Sequence, residues 1–200
     1  MYFFDNYYTF SELVILAYST VVTKLFYPGA LLIRRPVYVR GKPRIQFGKG
    51  FTTGYSCRFE VFGEKGDKTK KLIFGKNCKL GDNVHIAAAS KIVIGDDCLM
   101  ASKIFISDLS HGQYSGTDAD TVPWSVPNER ALTGDPIEIG NNVWIGENVC
   151  ILKGVRIGDG VVIGANCVVT KSIPDNSIVA GVPAKVIKVF DPTSGSWKVA

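Results

Sequence analysis

Two side chains that can handle protons stand three residues apart in the segment ISDLSHGQYSG, residues 106–116. The imidazole of His111 can accept and return a proton near neutral pH, and the carboxylate of Asp108 can orient that ring and stabilise its cation. A plainer interpretation is open for both, with His111 a polar residue at a corner of the fold and Asp108 an ordinary turn aspartate. The elements that position them decide between the two.

Apolar residues recur at every sixth position on the C-terminal side of this segment. Residues 139–174 divide into IGNNVW, IGENVC, ILKGVR, IGDGVV, IGANCV and VTKSIP, with Ile or Val first and Val, Cys or Ile fifth. A period of six fits neither an amphipathic helix nor one long alternating strand. It is typical of short strands that alternate inward and outward residues and are separated by Gly, Asn and Asp turns. Three sixes can close one triangular coil.

The same phase continues towards the N-terminus, with one shift of two residues near Ile92. About six coils stacked at ~4.8 Å would give a prism roughly 29 Å tall with a dry core. The predicted inward positions upstream are Phe47, Thr53, Phe59, Phe74, Leu80, Ile86, Ile94, Met100 and Ile106.

The repeat also predicts which of the five cysteines are buried. Cys150 lies at the sixth place of its six and is expected to be more exposed, but a nucleophile role for it lacks a neighbouring His or Asp. No disulfide is expected, because the count is odd and the compartment is expected to be reducing. The cysteines at the inward-pointing fifth place, predicted to be core residues, are Cys57, Cys78, Cys98 and Cys167.

Two segments interrupt the sixes. Residues 63–71 are rich in Gly and Lys and are interpreted as a solvated turn between coils. The longer break, residues 112–136, begins directly after His111 and has no sustained periodicity. A long excursion from a rigid scaffold is more often functional than accidental.

The composition is typical of a globular chain of 200 residues, with 46% apolar and 20% charged residues. The net charge of +5 comes from basic residues spread along the chain, so no nucleic-acid binding is predicted. The opening MYFFDNYYTF lacks the cationic region of a secretory signal. The apolar run LVILAYSTVV is too short for a membrane-spanning helix and is followed by Lys24. We therefore expect a cytoplasmic protein.

A helix is predicted near the N-terminus, because Thr9 and Glu12 can form a capping box and the pattern continues to about Phe26, before Pro28. One interpretation places this helix over the open end of the coil stack. In the other, part of it touches an anionic membrane surface together with the arginines of residues 34–40. Both can hold at once.

The segments VWIGENVCIL, IGANCVVTKSIP and IVAGVPAKVIK resemble those of the hexapeptide-repeat acyltransferases. The resemblance covers roughly residues 45–188. It implies an all-β fold, a left-handed parallel β-helix with an N-terminal helical cap and one long excursion loop, usually assembled as a homotrimer. The handedness comes from the family, because no spacing in the sequence fixes it.

The expected domain organisation follows from the helix and the repeat. Residues 1–40 would form the helical cap, residues 41–190 the β-helix domain with loop 112–136, and residues 191–200 a tail.

The segment ISDLSHGQYSG also resembles the catalytic segment of the subgroup that O-acetylates lipopolysaccharide and other cell-surface polysaccharides. That resemblance implies transfer from acetyl-CoA to a sugar hydroxyl of a polysaccharide or its lipid-linked precursor. His111 would be the general base in a direct ternary-complex reaction, with Asp108 orienting it. The acceptor is expected to contact His85, Tyr114 and Arg130, and the enzyme to work at the inner face of the membrane.

The resemblance further implies that acetyl-CoA lies in a slot parallel to the stack. Trp144 would line its thiol end, while Gly146 and Ala165 leave room for the pantetheine arm and can offer backbone amides. Glu147 and lysines stand where relatives of the galactoside enzyme have a serine and arginines. The lysines can also be plain solvated residues. The residues expected to meet the nucleotide phosphates are Thr170, Lys171, Lys185 and Lys188.

Three other functions stay open. The enzyme could N-acetylate an amino sugar, or acetylate a small acceptor such as serine. It could also be a non-catalytic trimeric scaffold or glycan-binding module, since fold does not fix function. Another known activity on this fold, that of the zinc-dependent carbonic anhydrases, uses three histidines, and the chain has two, so no metal is expected.

Overall fold

Three parallel sheets form the faces of a triangular prism in the computed structural model, which describes residues 8–200. Most of the stretch interpreted as lacking a secretory signal, residues 1–7, lies outside the described residues. The first face contains β1 (Ala30–Ile33), β4 (Phe51–Thr53), β7 (Lys79–Leu80), β10 (Leu99–Met100), β15 (Trp144–Ile145), β18 (Val162–Ile163) and β20 (Ser177–Ala180). The second face contains β2 (Val37–Arg40), β5 (Cys57–Val61), β8 (His85–Ala88), β11 (Phe105–Ser107), β16 (Cys150–Ile151) and β19 (Val168–Val169). The third face contains β3 (Ile45–Gln46), β6 (Leu72–Phe74), β9 (Ile92–Ile94), β14 (Ile137–Ile139) and β17 (Arg156–Ile157).

The core follows the six-residue phase. All nine predicted inward positions upstream of the loop are buried, and the first and fifth places of residues 139–174 line the same interior. Cys57, Cys78, Cys98 and Cys167 are buried free thiols, as predicted, and Cys150 is more exposed than they are. Burial raises the pKa of the Cys57 thiol to about 11, which keeps it protonated and unreactive at neutral pH. The second face has six strands, in agreement with about six coils.

Side chains at the corners tie each coil to the next. Asp159 accepts the backbone N–H of Asn141 at 2.6 Å, and Asp175 accepts that of Asp159 at 2.9 Å. At the fourth place of the sixes, Asn142 takes a positive φ of 55°, which Asn tolerates better than most residues. A Cβ on Gly158 would stand 2.1 Å from the carboxylate of Asp175, so this coil contact requires glycine. The Gly, Asn and Asp residues at the corners thus hold successive coils in register.

The N-terminal helix α1 (Phe10–Phe26) begins with the predicted capping box of Thr9 and Glu12. Its buried residues are Ser19 and Thr23, and Thr23 Oγ1 accepts the N–H of Ile33 at 2.9 Å. The helix therefore packs on the first coil through small polar residues. No helix among residues 8–200 is long and apolar enough to cross a membrane.

The expected domain boundary after residue 40 falls within the first coil, and the one after residue 190 falls inside a strand. The first coil begins at Ala30, because β1 and β2 pair in parallel with β4 and β5. After β20 the chain reverses into β21 (Lys185–Asp191) and β22 (Ser196–Val199), which pair antiparallel. Residues 191–200 therefore contribute a strand that covers the sheet edge rather than a tail.

The long excursion leaves the prism between the second and third faces. It starts with β12 (Leu109–His111), which pairs antiparallel with β13 (Leu132–Gly134) before the chain returns to β14. Between these strands the backbone forms one short 3-10 helix, Pro127–Glu129. The excursion is thus a hairpin with a long irregular tip, anchored at the base where His111 lies.

Candidate active site

His111 ends strand β12 and is exposed. Its backbone pairs with Leu132 across the hairpin. Its imidazole makes no hydrogen bond with a residue within 8–200, so neither ring nitrogen is committed to a partner in this part of the chain. A braced backbone with an accessible ring is what a general base requires.

Tyr114 and Arg130, both assigned to the acceptor from the sequence, lie beside His111. Tyr114 donates its hydroxyl hydrogen to the His111 carbonyl at 2.7 Å, and Arg130 donates to the Tyr114 hydroxyl at 2.8 Å. Arg130 is itself held by the side chain and carbonyl of Ser125, at 3.0 and 2.8 Å. The structure brings these three predicted residues together in one chain of hydrogen bonds across the loop.

Asp108 has a different environment from the one expected. It is fully buried, and its two carboxylate oxygens accept the backbone N–H groups of Ala89 and Ser90 at 2.7 and 2.9 Å. Burial raises the pKa of this carboxyl, and these hydrogen bonds oppose the shift. Within residues 8–200 no hydrogen bond joins Asp108 to His111. The contacts observed for Asp108 fasten the base of the hairpin to the coil below.

A polar cavity of about 400 Å³ adjoins the hairpin on the side of Tyr114. Lys153 lies in its wall, 3.0 Å from Asp135 and 3.2 Å from the Thr133 hydroxyl. The residues Lys153, Asp135 and Thr133 were not among the predicted site residues. Lys153 interrupts the apolar and turn residues of its six, which is the one signal that could have drawn attention to it.

The coenzyme residues divide between the first face and the corners. Across adjacent strands, Trp144 pairs with Val162, Val162 with Ile178, and Ile178 with Lys188. Trp144 and Lys188 are exposed and Ile145 beside Trp144 is buried, so this column faces outward and runs parallel to the stack. At ~4.8 Å per strand, Trp144 and Lys188 are about 14 Å apart.

The other coenzyme residues lie near this column. The N–H of Gly146 donates to Ile163 at 2.8 Å and is therefore not free, and a Cβ there would meet the backbone of Ala165 at 2.7 Å. Close coil stacking thus explains this glycine. Ala165 is exposed, and its N–H donates to no acceptor within residues 8–200. Three exposed residues complete the predicted set: Thr170, Lys171 and Lys185.

His111 and Trp144 do not belong to one face of a single chain. The hairpin of His111 leaves the corner after the second face, whereas Trp144 lies on the first face. Cys150 lies on the second face, between Phe105 and Val168 in register. Among residues 8–200 no group of three His, Cys, Asp or Glu residues could hold a metal ion.

Comparison with known proteins identifies the family. Residues 136–171 match a family model described as bacterial transferase hexapeptide (six repeats). "Putative lipopolysaccharide biosynthesis O-acetyl transferase WbbJ" of Escherichia coli strain K12 is 40% identical over 182 residues, which cover 91% of this chain and 90% of that protein. The chain belongs to the hexapeptide-repeat acyltransferases. The predicted family is confirmed.

Two solved structures of similar fold contain coenzyme A. A mutant of AntD, an N-acyltransferase from Bacillus cereus, in complex with dTDP and coenzyme A has a TM-score of 0.66 at 20% identity, covering 92% of this chain and 91% of its own. A galactoside acetyltransferase in complex with coenzyme A has a TM-score of 0.55 at 27% identity, covering 94% of this chain and 76% of its own. The left-handed β-helix is confirmed. So is the enzyme class, an acyltransferase dependent on acetyl-CoA.

Proposed function

We propose that the protein transfers the acetyl group of acetyl-CoA to a sugar hydroxyl of a cell-surface polysaccharide or its lipid-linked precursor. The observation that carries the proposal is the exposed His111 imidazole on a hairpin braced by Tyr114 and Arg130. The E. coli relative named for lipopolysaccharide O-acetylation supports the choice of acceptor, because it matches nearly the whole chain.

The reaction needs one proton acceptor. His111 takes the proton of the sugar hydroxyl while that oxygen bonds to the thioester carbonyl carbon. The carbon–sulfur bond then breaks, and the imidazolium returns the proton to the sulfur of the departing coenzyme A. The products are a sugar acetate ester and free coenzyme A, and no acyl-enzyme is formed.

The outward column of the first face suits the donor. Trp144 offers an aromatic surface near the thioester, and the free N–H of Ala165 suits a carbonyl of the pantetheine arm. Lys188 and Lys185 provide positive charge further along the same direction for the nucleotide phosphates. Thr170 and Lys171 stand at the neighbouring corner.

A homotrimer would complete each site from two chains. His111 and Trp144 leave one chain on different faces, so the base of one subunit must meet the donor face of its neighbour. Sedimentation should show a trimer. Mixed trimers of a His111→Ala subunit and a Trp144→Ala subunit should then regain activity that neither variant has alone, and no regain would reject shared sites.

The exposed surface of helix α1 is suited to binding the cytoplasmic face of a membrane. Its buried residues are polar, while its large apolar side chains are exposed, the reverse of a helix that serves only as a cap. Lys24 and the basic residues 34–40 lie nearby to meet anionic lipids. Flotation with anionic vesicles should recover the protein in the vesicle fraction, and recovery should fall for Leu25→Glu. If the variant and the wild type are recovered equally, the proposed membrane contact is rejected. The exposed apolar residues are Phe10, Leu13, Val14, Ile15, Tyr18, Val21, Leu25 and Phe26.

The central experiment is His111→Ala, assayed as coenzyme A release with glycan acceptors. Turnover should fall by ~10²–10⁴ with acetyl-CoA affinity unchanged, because only the proton transfer is lost. Unchanged turnover would reject the assignment. Release of the product acetate by mild alkali distinguishes an ester from the amide that N-acetylation would form.

A further inference from the structure

A carboxylate lies buried on the outside of the prism. Glu60 alternates with the core residues Phe59 and Val61 and so points outward from β5, yet it is only 5% exposed. Its carboxylate accepts a hydrogen bond from Arg58 at 2.7 Å and lies 3.2 Å from Nε2 of His85 and 3.9 Å from Arg40. Two guanidiniums meet one carboxylate, so the group carries an excess of positive charge.

Both guanidiniums are held against aromatic rings. The guanidinium carbon of Arg58 lies 5.4 Å from the centre of the Tyr38 ring, and that of Arg40 lies 5.7 Å from the centre of the Phe62 ring. Stacking restricts each guanidinium plane, and Glu60 further fixes Arg58. The side chains nevertheless stay 53% and 62% exposed.

Most of the donors on these arginines are unused. Apart from Glu60, no side-chain carboxylate within residues 8–200 pairs with either guanidinium. Each guanidinium carries five N–H donors in a fixed plane, a geometry that matches carboxylate and phosphate oxygens. A single arginine would neutralise Glu60. The second arginine and the rigid stacking are explained by an anion that both bind.

The group lies on the face that leads to His111. Arg58 pairs with His85 in the next strand, and His85 with Phe105, whose strand runs into the hairpin of His111. The rings of His85 and Phe105 are 5.3 Å apart. Two strand spacings of ~4.8 Å place Arg58 about 10 Å below Phe105. The chain continues from Phe105 into the hairpin, so an elongated acceptor, such as an oligosaccharide or a sugar linked to a carrier phosphate, would extend from the arginines towards His111.

We propose that Arg58 and Arg40 bind an oxyanion of the glycan acceptor while a hydroxyl of the same molecule meets His111. The anion is either the carboxylate of an acidic sugar or the phosphate that links a sugar to its carrier. Glu60 positions the guanidiniums, and His85 continues the polar surface towards the base. This inference rests on the proposed acetyl transfer to a glycan.

Binding can be tested without turnover, from the Nε–H signals of the arginines in NMR titrations. The probes are glucose 1-phosphate, methyl glucuronide and the neutral methyl glucoside. We expect one or both anions to shift the Arg58 and Arg40 signals and the neutral sugar to leave them unmoved. Which anion binds more tightly identifies the source of the oxyanion. Signals that no anion moves, or that all three probes move alike, would overturn the proposal.

Variants connect binding to the reaction. Arg58→Gln and Arg40→Gln should each weaken anion binding about tenfold, the loss of one charged hydrogen-bond pair, and Arg156→Gln on the third face should not. Arg58→Gln leaves Glu60 without its closest partner, and this variant can unfold for that reason. The double variant Arg58→Gln with Glu60→Gln then replaces it in the binding measurement. Equal binding by the arginine variants and the control would reject the site. If anions bind as expected but the wild-type protein transfers no acetyl group to any glycan acceptor, the anion site stands and the proposed acetyl-transfer function fails.

Discussion

The two ends of the prism fill the same triangular section with different side chains. In the N-terminal coils four phenylalanines, Phe47, Phe51, Phe59 and Phe74, pack with ring centres 4.5 to 6.4 Å apart. In the C-terminal coils the interior is almost entirely Ile and Val from a repeat without insertions. The aromatic end carries the short excursion, residues 63–71, and the Glu60 group. The long excursion leaves from β11 in the middle of the second face, and the aliphatic end carries the column proposed to bind the donor. In the proposed function, the irregular coils recognise the acceptor and the regular coils form a uniform track for a long linear coenzyme.

The largest expected effect is on the aromatic end. Phe51→Ala removes a ring that contacts three other phenylalanines and should lower the free energy of unfolding by about 3–5 kcal/mol. Ile163→Val at the aliphatic end should cost only about 0.5–1.5 kcal/mol, because one methylene is lost. Urea unfolding measures both. Equal losses would contradict the larger contribution expected from the buried ring of Phe51.

Asp108 lies where the long excursion leaves the middle of the prism, and its carboxylate holds the coil below. Asp108→Ala leaves the N–H groups of Ala89 and Ser90 without an acceptor and should cost about 1–3 kcal/mol of stability. Urea unfolding and kinetics measured together decide its role. Unchanged stability with a large loss of turnover would instead assign Asp108 to orienting His111.

The raised pKa of Asp108 should make the stability of the protein depend on pH. Since burial raises the pKa of the folded state above that of the unfolded chain, the folded state binds more protons between the two values. Stability should therefore fall as pH rises from about 4 through the raised pKa, and level off above it. Asp108→Asn should remove this part of the slope. A slope identical to that of the wild type would show that another group is responsible.

The regular end could be predicted from sequence almost residue by residue. Period six leaves only the first and fifth places inward, so Val143, Cys167 and Ile173 follow directly from the phase. The Glu60 group could not be found that way. The phase states that Glu60 faces outward, but its partner His85 is 25 residues away, and only the length of the intervening excursion fixes which strand lies alongside. The amide partners of Asp108 could not be found from the sequence for a similar reason, since they belong to the previous coil.

The smallest expected effect is on coenzyme A binding, and it compares one lysine at each end of the prism. Lys188 and Lys79 occupy the same outward column of the first face, on opposite sides of Trp144. If the nucleotide of coenzyme A extends towards the aliphatic end, Lys188→Gln should weaken coenzyme A binding about two- to fivefold, the effect of one exposed charge pair. Lys79→Gln should leave the Kd unchanged. Calorimetry at two salt concentrations measures both, and the loss in Lys188→Gln should shrink at high salt because exposed charges are screened. A larger effect from Lys79→Gln would show that coenzyme A binds in the opposite direction along the prism. Its phosphates would then lie beside the aromatic coils, where the acceptor anion is proposed to bind.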